Sequence, residues 1–438
     1  MKNRMHVAFV IASASMIAFA CQRDRTIVGP SLRGSPRATR EATLDGPKAV
    51  VVNPNANGNG VATTIQEAID RVASGGQVLV KAGTYTEALI ITKGLTLRPI
   101  GEGEGQVIIA PPGAPNIAIQ VATPEPVVIQ DVTLQFSGAH GIRGDGVVDV
   151  TVERVTGKAV NSAVLSTQQR VMAFFNDGLT SHGRAHVTLR DNLLDGGVGA
   201  SASTQPPFPQ MFGISVQGDV TGSIERNTLR RMGGACITVT TRPDLGGETN
   251  VDIVDNDLDE CYPLQRAGSL LVQPLAGVRG TVTATGVVNI IGNTIRNTLR
   301  SPLPATAISQ FYAPGRIERN QILGVVQPEA TGILGNRNPA AIWIGSLSTT
   351  AIAPDIAPVV RFNDIEGNAY AGLRVGPNIR TSITATCNWW GTVDGPSVLT
   401  TTNPQVRDAI VVETGAAAPS YLPFASTPVA ATSATPCN

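Results

Sequence analysis

The sequence predicts an all-β solenoid, in which short parallel strands coil around one axis and a helix covers the N-terminal end. One observation is an Asn that recurs in an apolar frame, as in VTLRDNLL, GSIERNTL and GRIERNQI. The other is a spacing: the steps from Val132 to Ile142 and from Ile142 to Val155 together give a bare repeat of about 23 residues. A repeat of this length holds two or three strands, too few for a propeller blade.

The composition agrees with a β fold and excludes one class of partner. Of the 438 residues, 42% are apolar, 4% are aromatic and 15% are charged, so the core must come from Val, Ile, Leu and Ala. Lys and Arg together number 33, and Asp and Glu together also number 33. Without excess positive charge, nucleic acid is not an expected partner.

Residues 1–21 are predicted to be a lipoprotein-type signal peptide. Lys2 and Arg4 precede the apolar run VAFVIASASMIAFA, which is too short to span a bilayer. AFAC, ending at Cys21, resembles the lipobox of bacterial lipoproteins, which implies acylation of that Cys. Gln22 in place of Asp implies the outer membrane or cell surface, and the alternative is ordinary cleavage near Ala20 with a secreted or periplasmic product. Residues 22–46 are polar and basic, as expected of a flexible tether.

The solenoid domain is predicted over residues 47–412, with a helix near its start. TTIQEAIDRVA at 63–73 places Ile65, Ala68, Ile69 and Val72 on one helical face, and Thr64 is positioned to cap its N-terminus. A solenoid needs such a cap to cover its apolar end. After the helix only short strands follow, and residues 413–438 form an Ala/Pro/Thr-rich C-terminal tail.

The recurring Asn is predicted to be structural. If the coils stack, equivalent Asn side chains stack into a hydrogen-bonded ladder at one tight corner. The distance from each Asn to the first residue of the next strand has a fixed minimum, as from Asn227 to Ile237, and is longer elsewhere, which predicts loops inserted at one fixed place. Residues 49–412 should form about ten to twelve coils. The ladder positions are Asn192, Asn227, Asn256, Asn293, Asn320, Asn363 and Asn388.

Four cysteines besides Cys21 are expected to pair in an oxidising compartment, and three pairings are open. The sequence separation of Cys236 and Cys261 is close to one coil, so adjacent coils would bring them within disulfide reach. Cys437 could then fix the tail to Cys387. None of the four has the spacing of a metal site.

Three segments together resemble bacterial right-handed parallel β-helix proteins of the pectin-lyase-like superfamily. They are the opening TTIQEAID with GGQVLVKAGTYTEALIITKGLTLRPIG, the Asn repeats, and the closing CNWWGTVDGPS. The resemblance covers residues 49–412 and implies a right-handed, single-stranded parallel β-helix. Since the superfamily includes lyases, polygalacturonases, methylesterases and adhesins, it leaves open whether the chain is an enzyme.

Two groups of residues are weak candidates for chemistry. Asp177, His182, Arg184 and His186 surround an SHG triplet, and acids and histidines of this kind serve polysaccharide hydrolysis, although a solvated turn between two strands is the favoured interpretation. The acidic stretch VDIVDNDLDE has oxygen ligands of the kind that Ca²⁺ prefers, but alternation along a strand points them to opposite faces. The sequence shows no evident cofactor.

The strand after each corner is predicted to carry the binding face. With its Ile and Leu residues inward, alternation points the next row outward and a second row two residues further on. From these rows we expect Gln217, Gln273, Phe311, Trp343 and Arg374 to bind substrate, because aromatic rings stack on sugars and amides bind hydroxyls. The alternative is that the inserted loops bury Trp343 and Phe311. The first row is Arg143, Ser215, Thr238, Leu271, Ser309, Trp343 and Arg374, and the second adds Asp145 and Thr240 to Gln217, Gln273 and Phe311.

These observations favour an exported, membrane-anchored β-helix that binds an extracellular polysaccharide through a lateral groove. One alternative is a polysaccharide lyase or glycoside hydrolase, which requires carboxylates and Arg or His clustered in that groove. The other is a structural or adhesive surface solenoid, which requires a uniformly polar face without exposed aromatics.

Overall fold

The computed structural model describes most of the chain from residue 46 onward. The signal peptide 1–21 with Cys21, and tether residues 22–45, lie outside the described residues. The helix found among the described residues is too short to cross a membrane. The described ranges are 46–55, 60–101, 105–113, 117–137, 140–160, 169–177, 183–197, 211–241, 247–261, 268–274, 286–298, 306–310, 313–325, 340–345, 358–368, 371–377, 379–400, 408–429 and 437.

The strands form three parallel sheets, which the chain visits in a fixed order. Each visit adds a strand beside the one from the previous coil, so the molecule is a right-handed parallel β-helix, as predicted. Across the described residues, sheets 1, 2 and 3 contain 11, 10 and 12 strands, which confirms the expected number of coils.

Sheet 1 holds Ala49–Val52, Gly76–Val80, Leu95–Pro99, Pro126–Gln130, Asp149–Glu153, Ala185–Arg190, Val220–Glu225, Thr249–Val254, Val288–Ile291, Arg316–Glu318 and Val359–Arg361. Sheet 2 holds Gly83–Tyr85, Val107–Ile109, Val132–Phe136, Thr156–Ala159, Leu193–Asp195, Thr228–Met232, Asp257–Cys261, Thr294–Arg296, Gln321–Leu323 and Asp364–Glu366. Sheet 3 holds Leu89–Ile91, Ile117–Val121, His140–Asp145, Gln169–Asn176, Met211–Gly218, Ile237–Thr241, Gly268–Pro274, Thr306–Gln310, Ala340–Ile344, Ala371–Val375, Val398–Thr400 and Ile410–Val412.

The core is a set of apolar stacks inside the coil. Alternate residues of each strand point inward, and in-register neighbours place one aliphatic side chain on the next in every coil. Burying these stacks is the main stabilising contribution, because a fully buried Val, Leu or Ile is worth about 1.5–3 kcal/mol. One stack in sheet 1 consists of Ile129, Val152, Leu189, Ile224, Ile253, Ile290 and Ile317, all essentially inaccessible to solvent.

The corner between sheets 1 and 2 contains the predicted Asn ladder. The side-chain Oδ1 of Asn256 accepts from both the backbone N–H and the Nδ2 of Asn227, each at 2.9 Å. Asn256 Nδ2 in turn donates to Ile224 O at 2.8 Å and to Asn293 Oδ1 at 2.9 Å. The same pattern repeats from Asn192 to Asn388, so the ladder is confirmed.

A feature that the sequence did not predict accompanies every corner from residue 131 onward. The residue just before the corner position has a left-handed backbone, with φ from 51° to 70°. This conformation turns the chain sharply from sheet 1 into sheet 2 within two residues, and Gly is used only once. The residues are Asp131, Arg154, Asp191, Arg226, Asp255, Gly292, Arg319, Phe362 and Cys387.

Long insertions occur at two corners, not at one as predicted. Some join sheet 2 to sheet 3, as between Asp195 and Met211, and others join sheet 3 to sheet 1, as between Pro274 and Val288. The ladder holds the third corner tight, so insertions fall at the other two. They therefore flank sheet 3 on both sides.

Both ends of the solenoid are covered. The helix Ile65–Arg71 is capped as predicted, with Thr64 Oγ1 accepting from Glu67 N at 3.1 Å. The amide of Gln66 accepts from Ile90 N at 2.8 Å and donates to Ile90 O at 3.2 Å, so it occupies the edge of sheet 3 as a further strand would.

At the other end, the described part of the C-terminal tail lies on the last coil. Ala385 N donates to Ser420 O at 2.7 Å, and Ala425 N donates to Asn388 O at 3.0 Å. Both expected disulfides are present, with Cα–Cα distances of 5.6 Å for Cys236–Cys261 and 5.4 Å for Cys387–Cys437. The first joins adjacent coils and the second fixes the tail, as predicted.

Candidate functional site

The outer face of sheet 3 is the surface that lies between the two loop-bearing corners. Three neighbouring strands, His140–Asp145, Gln169–Asn176 and Met211–Gly218, form its most chemically varied part. Their register places Asp145, Phe175 and Gln217 side by side in consecutive coils, about 4.8 Å apart. Side chains from separate coils thus meet on one surface.

Two arginines and two phenylalanines form the centre of this surface. Arg143 Cζ lies 5.7 Å from the centroid of the Phe175 ring, and Arg170 Cζ lies 5.2 Å from the same centroid. Arg170 also lies 5.6 Å from the Phe212 ring. All four side chains are partly exposed. We call them the arginine–phenylalanine cluster.

Hydrogen bonds fix the polar groups around the cluster. Arg143 Nε donates to Asp145 Oδ2 at 2.7 Å, and Arg170 Nε donates to Ser215 Oγ at 3.2 Å. These bonds orient each guanidinium plane against the aromatic rings, an arrangement in which cation–π attraction contributes about 0.5–2 kcal/mol.

His140 is in register with Arg170 of the next coil and is almost fully buried. Its ring meets the Phe175 ring edge to face, with 6.4 Å between centroids. Burial, followed by the charges of Arg170 and Arg143, lowers the pKa of His140 from 6.5 to about 3. The imidazole is therefore neutral at physiological pH, and its Nδ1 has no hydrogen-bond partner among the residues described.

The predicted catalytic candidates lie in separate environments. Asp177 follows the strand Gln169–Asn176 and accepts from Gln217 Nε2 at 2.6 Å. Arg184 donates to Asp219 and Glu248, each at 2.8 Å, and these two carboxylates raise its pKa.

The other two predicted catalytic candidates are the histidines His182 and His186. His186 lies on the outer face of sheet 1, where its Nδ1 is 3.3 Å from Asp149 Oδ1. His182 lies outside the described residues. Asp177 thus belongs to the sheet 3 surface and His186 to another face, so the structure does not assemble these candidates into one catalytic group.

Trp343 and Arg374 do not form the exposed binding platform that was predicted from the alternation of residues along these strands. Trp343 is 8% exposed and Arg374 is 7% exposed. The guanidinium of Arg374 lies 4.7 Å from the indole centroid, and its Nε donates to Glu413 Oε1 at 2.7 Å. An added Cβ at Gly345 would come within 3.2 Å of the indole nitrogen, so backbone packs closely against the ring. The alternative interpretation, burial of Trp343, is the one observed.

The other predicted binding residues divide in the same way. Gln217 lies on the sheet 3 surface, as predicted. Gln273 occupies the position in register with Thr240, although its side chain is outside the described residues, as is the whole of Phe311.

Carboxylates in the acidic stretch of residues 252–260 are hydrogen-bonded to other side chains of the same chain. Asn289 Nδ2 donates to Asp252 at 2.7 Å, Arg296 donates to Asp257 at 2.8 Å, and Asn297 Nδ2 donates to Asp259 at 2.8 Å. Within the described ranges, no three His, Cys, Asp or Glu side chains are grouped so that they could hold a metal ion.

Sequence reasoning missed Arg170, Phe175 and Phe212. Continuing the bare spacing from Val155, as from Val132 to Ile142, predicts the sheet 3 strand of this coil at Leu165, which lies outside the described residues, whereas the strand is Gln169–Asn176. The signal was available in QRVMAFFN, whose alternation resembles that of MFGISVQG in the next coil. Aligning the two would have placed Phe175 beside Gln217.

The fold and this surface together define a right-handed parallel β-helix protein with an aromatic and basic lateral face. No family model matches the chain, and no curated protein matches it. Among solved structures, the Dettilon tailspike protein is 12% identical with a TM-score of 0.48, over 83% of this chain and 68% of that one. The A-module of a mannuronan C-5 epimerase from Azotobacter vinelandii is 15% identical with a TM-score of 0.45, over 82% of this chain and 93% of its own. The chemistry of the site therefore has to come from this chain's own residues.

Proposed function

We propose that the protein binds an extracellular polysaccharide along the outer face of sheet 3, with the arginine–phenylalanine cluster at the centre. The observation that carries this is the presence of two partly exposed rings, Phe175 and Phe212, beside guanidinium and amide groups on one face. Sugar rings stack their apolar faces on aromatic side chains and present hydroxyls to polar groups at the rim.

The test is binding of the purified protein to a glycan array, followed by titration with any glycan that binds. Phe212→Ala and Phe175→Ala should each weaken binding by about tenfold, because stacking contributes on the order of 1 kcal/mol beyond burial. His186→Ala, a change on the outer face of sheet 1, is the control and should leave affinity unchanged. Mass spectrometry of the bound glycan after incubation would reveal cleavage.

An array without any binder, or equal affinity for the Phe variants and the parent, would remove this function. The adhesive or structural solenoid would then be the better interpretation. Circular dichroism of each variant separates a loss of binding from a loss of folding.

The N-terminal sequence supports a proposal for where this activity is located. We propose export through residues 1–21 and acylation of Cys21, with the β-helix held at the outer membrane. Metabolic labelling with palmitate should mark the parent and not Cys21→Ser. A parent that is unlabelled and released into the periplasm or medium would support ordinary cleavage instead.

A further inference from the structure

Two positive charges converge on one ring at the centre of the sheet 3 surface. Arg143 and Arg170 come from neighbouring coils, and their guanidinium carbons lie 5.7 Å and 5.2 Å from the Phe175 centroid. Placing two like charges together is unfavourable unless something offsets their repulsion. Asp145, whose Oδ2 lies 2.7 Å from Arg143 Nε, offsets part of this repulsion. The face where a ligand would lie therefore presents two guanidinium groups beside one carboxylate.

Arg143 is poised to bind a ligand. Its Nε is held by Asp145, and its side chain is 24% exposed. Its two terminal nitrogens form no hydrogen bond with any described residue. A guanidinium whose Nε is fixed still offers planar N–H donors, which suit two oxygens of a carboxylate or a sulfate ester.

His140 supplies an independent observation. Its Nδ1 is buried within the described structure without a partner, which is unfavourable for a polar atom. Burial is the main cause of the lowered pKa of this residue, and the charges of Arg170 and Arg143 lower it further. An anion bound to the two guanidinium groups would reduce the effect of their charges on the imidazole.

We propose that Arg143 and Arg170, beside the buried and neutral His140, form a subsite for an anionic substituent of the bound glycan, a carboxylate or a sulfate ester, whose charge the two arginines neutralise without a metal ion. This inference rests on the proposed polysaccharide function and adds the substrate class. Arg170 is held between two rings, so the sugar that bears the anion would lie against Phe175 or Phe212.

The experiment compares glycans that share a backbone and differ in charge. The probes are polygalacturonate with its carboxyl-reduced neutral form, and dextran sulfate with dextran, each titrated with and without a metal chelator. The protein should bind the charged member of at least one pair at least tenfold more tightly, and the chelator should not change this. The pair that shows the preference identifies the anion as carboxylate or sulfate.

Variants assign the effect to the cluster. Arg143→Gln and Arg170→Gln should each remove about tenfold of the preference, the size of one charge-assisted interaction, whereas Arg143→Lys should restore part of it. Lys158→Gln removes one charge from the exposed outer face of sheet 2 and should change nothing.

Each contrary outcome has a distinct meaning. Equal binding of neutral and charged members, an equal loss in Lys158→Gln, or loss of binding with the chelator would overturn the arginine subsite while leaving glycan binding intact. No binding to these probes or to any member of the glycan array would remove the proposed function itself.

Discussion

A single corner residue such as Asn256 joins three coils. Its Oδ1 receives two hydrogen bonds from Asn227, and its Nδ2 donates to Asn293 in the coil on the other side. All of these atoms are buried, so water cannot replace a lost partner. Asn192, at the start of the ladder, has a simpler role, because within the described structure its Oδ1 accepts only from the backbone N–H of Val155.

We therefore expect Asn256→Val to destabilise the protein more than Asn192→Val. The first leaves two donors of Asn227 without their acceptor, and the second leaves only the N–H of Val155, so the difference should be about 1 kcal/mol or more. Val is the fair replacement because Val132 and Val155 occupy the same corner in earlier coils. Urea unfolding of both variants measures the difference, and equal losses would contradict the ladder as a source of stability.

His140 should make stability depend on pH. Its pKa is about 3 when folded and near 6.5 when unfolded, so between these values the unfolded chain binds a proton that the folded chain does not. Stability should fall as pH falls through this window, by about 1 kcal/mol per pH unit more than in His140→Gln. Denaturation at pH 7, 5 and 4 tests this, and parallel pH profiles would refute it.

At the scale of single residues, repetition decided what the sequence could predict. The Asn corners recur in one frame, so their stacking follows from the period alone. The burial of Trp343 depends on its contacts with Arg374 and with the backbone at Gly345, and no period encodes those contacts. Arg170 was missed because an insertion displaced its strand from the expected spacing.

At the scale of elements, the strands of sheet 2 carry a row of alternating charge. Lys158, Asp195, Arg230, Asp259 and Arg296 lie opposite one another in five consecutive coils. Arg230 Nε lies 3.4 Å from Asp195, and Arg296 Nε lies 3.5 Å from Asp259. Opposite charges on adjacent strands favour this register, and like charges oppose it.

Arg230→Glu should therefore destabilise the protein by about 1 kcal/mol at low salt, because it places three negative charges in neighbouring coils. The loss should shrink at 1 M salt, where exposed charges are screened within about 3 Å. Arg98→Glu is the control, since Arg98 is bonded to the neutral amide of Gln77. A loss that does not depend on salt would mean that packing, and not charge, is responsible.

The capping helix and the strand order could be predicted from apolar periodicity, but the position of the insertions could not. The distance from each Asn to the next strand ends where the sheet 3 strand begins, so insertions after that strand lie outside the interval that was compared. The left-handed residue before each corner also escaped, because Asp, Arg, Phe and Cys all occupy it. Backbone hydrogen bonds to the next coil accompany that conformation, as from Asp131 N to Glu153 O and from Asp255 N to Ile291 O, so local sequence need not encode it.

At the scale of the whole molecule, the last coil is closed by the chain's own C-terminal segment. Cys387, at the final corner, is bonded to Cys437, and residues between them return to pair with the coil. Trp389 packs with Ala425 and Val429 in a small separate core.

Removing this disulfide should loosen the C-terminal end selectively. Cys437→Ser frees a loop of 50 residues, and loss of such a crosslink costs about 2–4 kcal/mol. Limited proteolysis should then cut beyond residue 412 first, while the coils before it stay protected. Cys236→Ala with Cys261→Ala is the comparison, because both side chains lie in the core and their loss should affect the central coils. The same cleavage pattern in both variants would contradict a local role.

The ladder also gives the molecule a direction. From Asn192 to Asn363, each side-chain N–H points to the oxygen of the next Asn, so the amide dipoles lie head to tail and polarise one another. The row starts at the N–H of Val155 and ends when Asn388 turns its own N–H groups to Val360 O and Ala385 O. A duplicated coil that carries its own Asn can enter this row anywhere and find a donor below it and an acceptor above. The molecule can thus change in length by whole coils. A partial coil would interrupt the row of amide hydrogen bonds and leave the two broken ends of that row buried without partners.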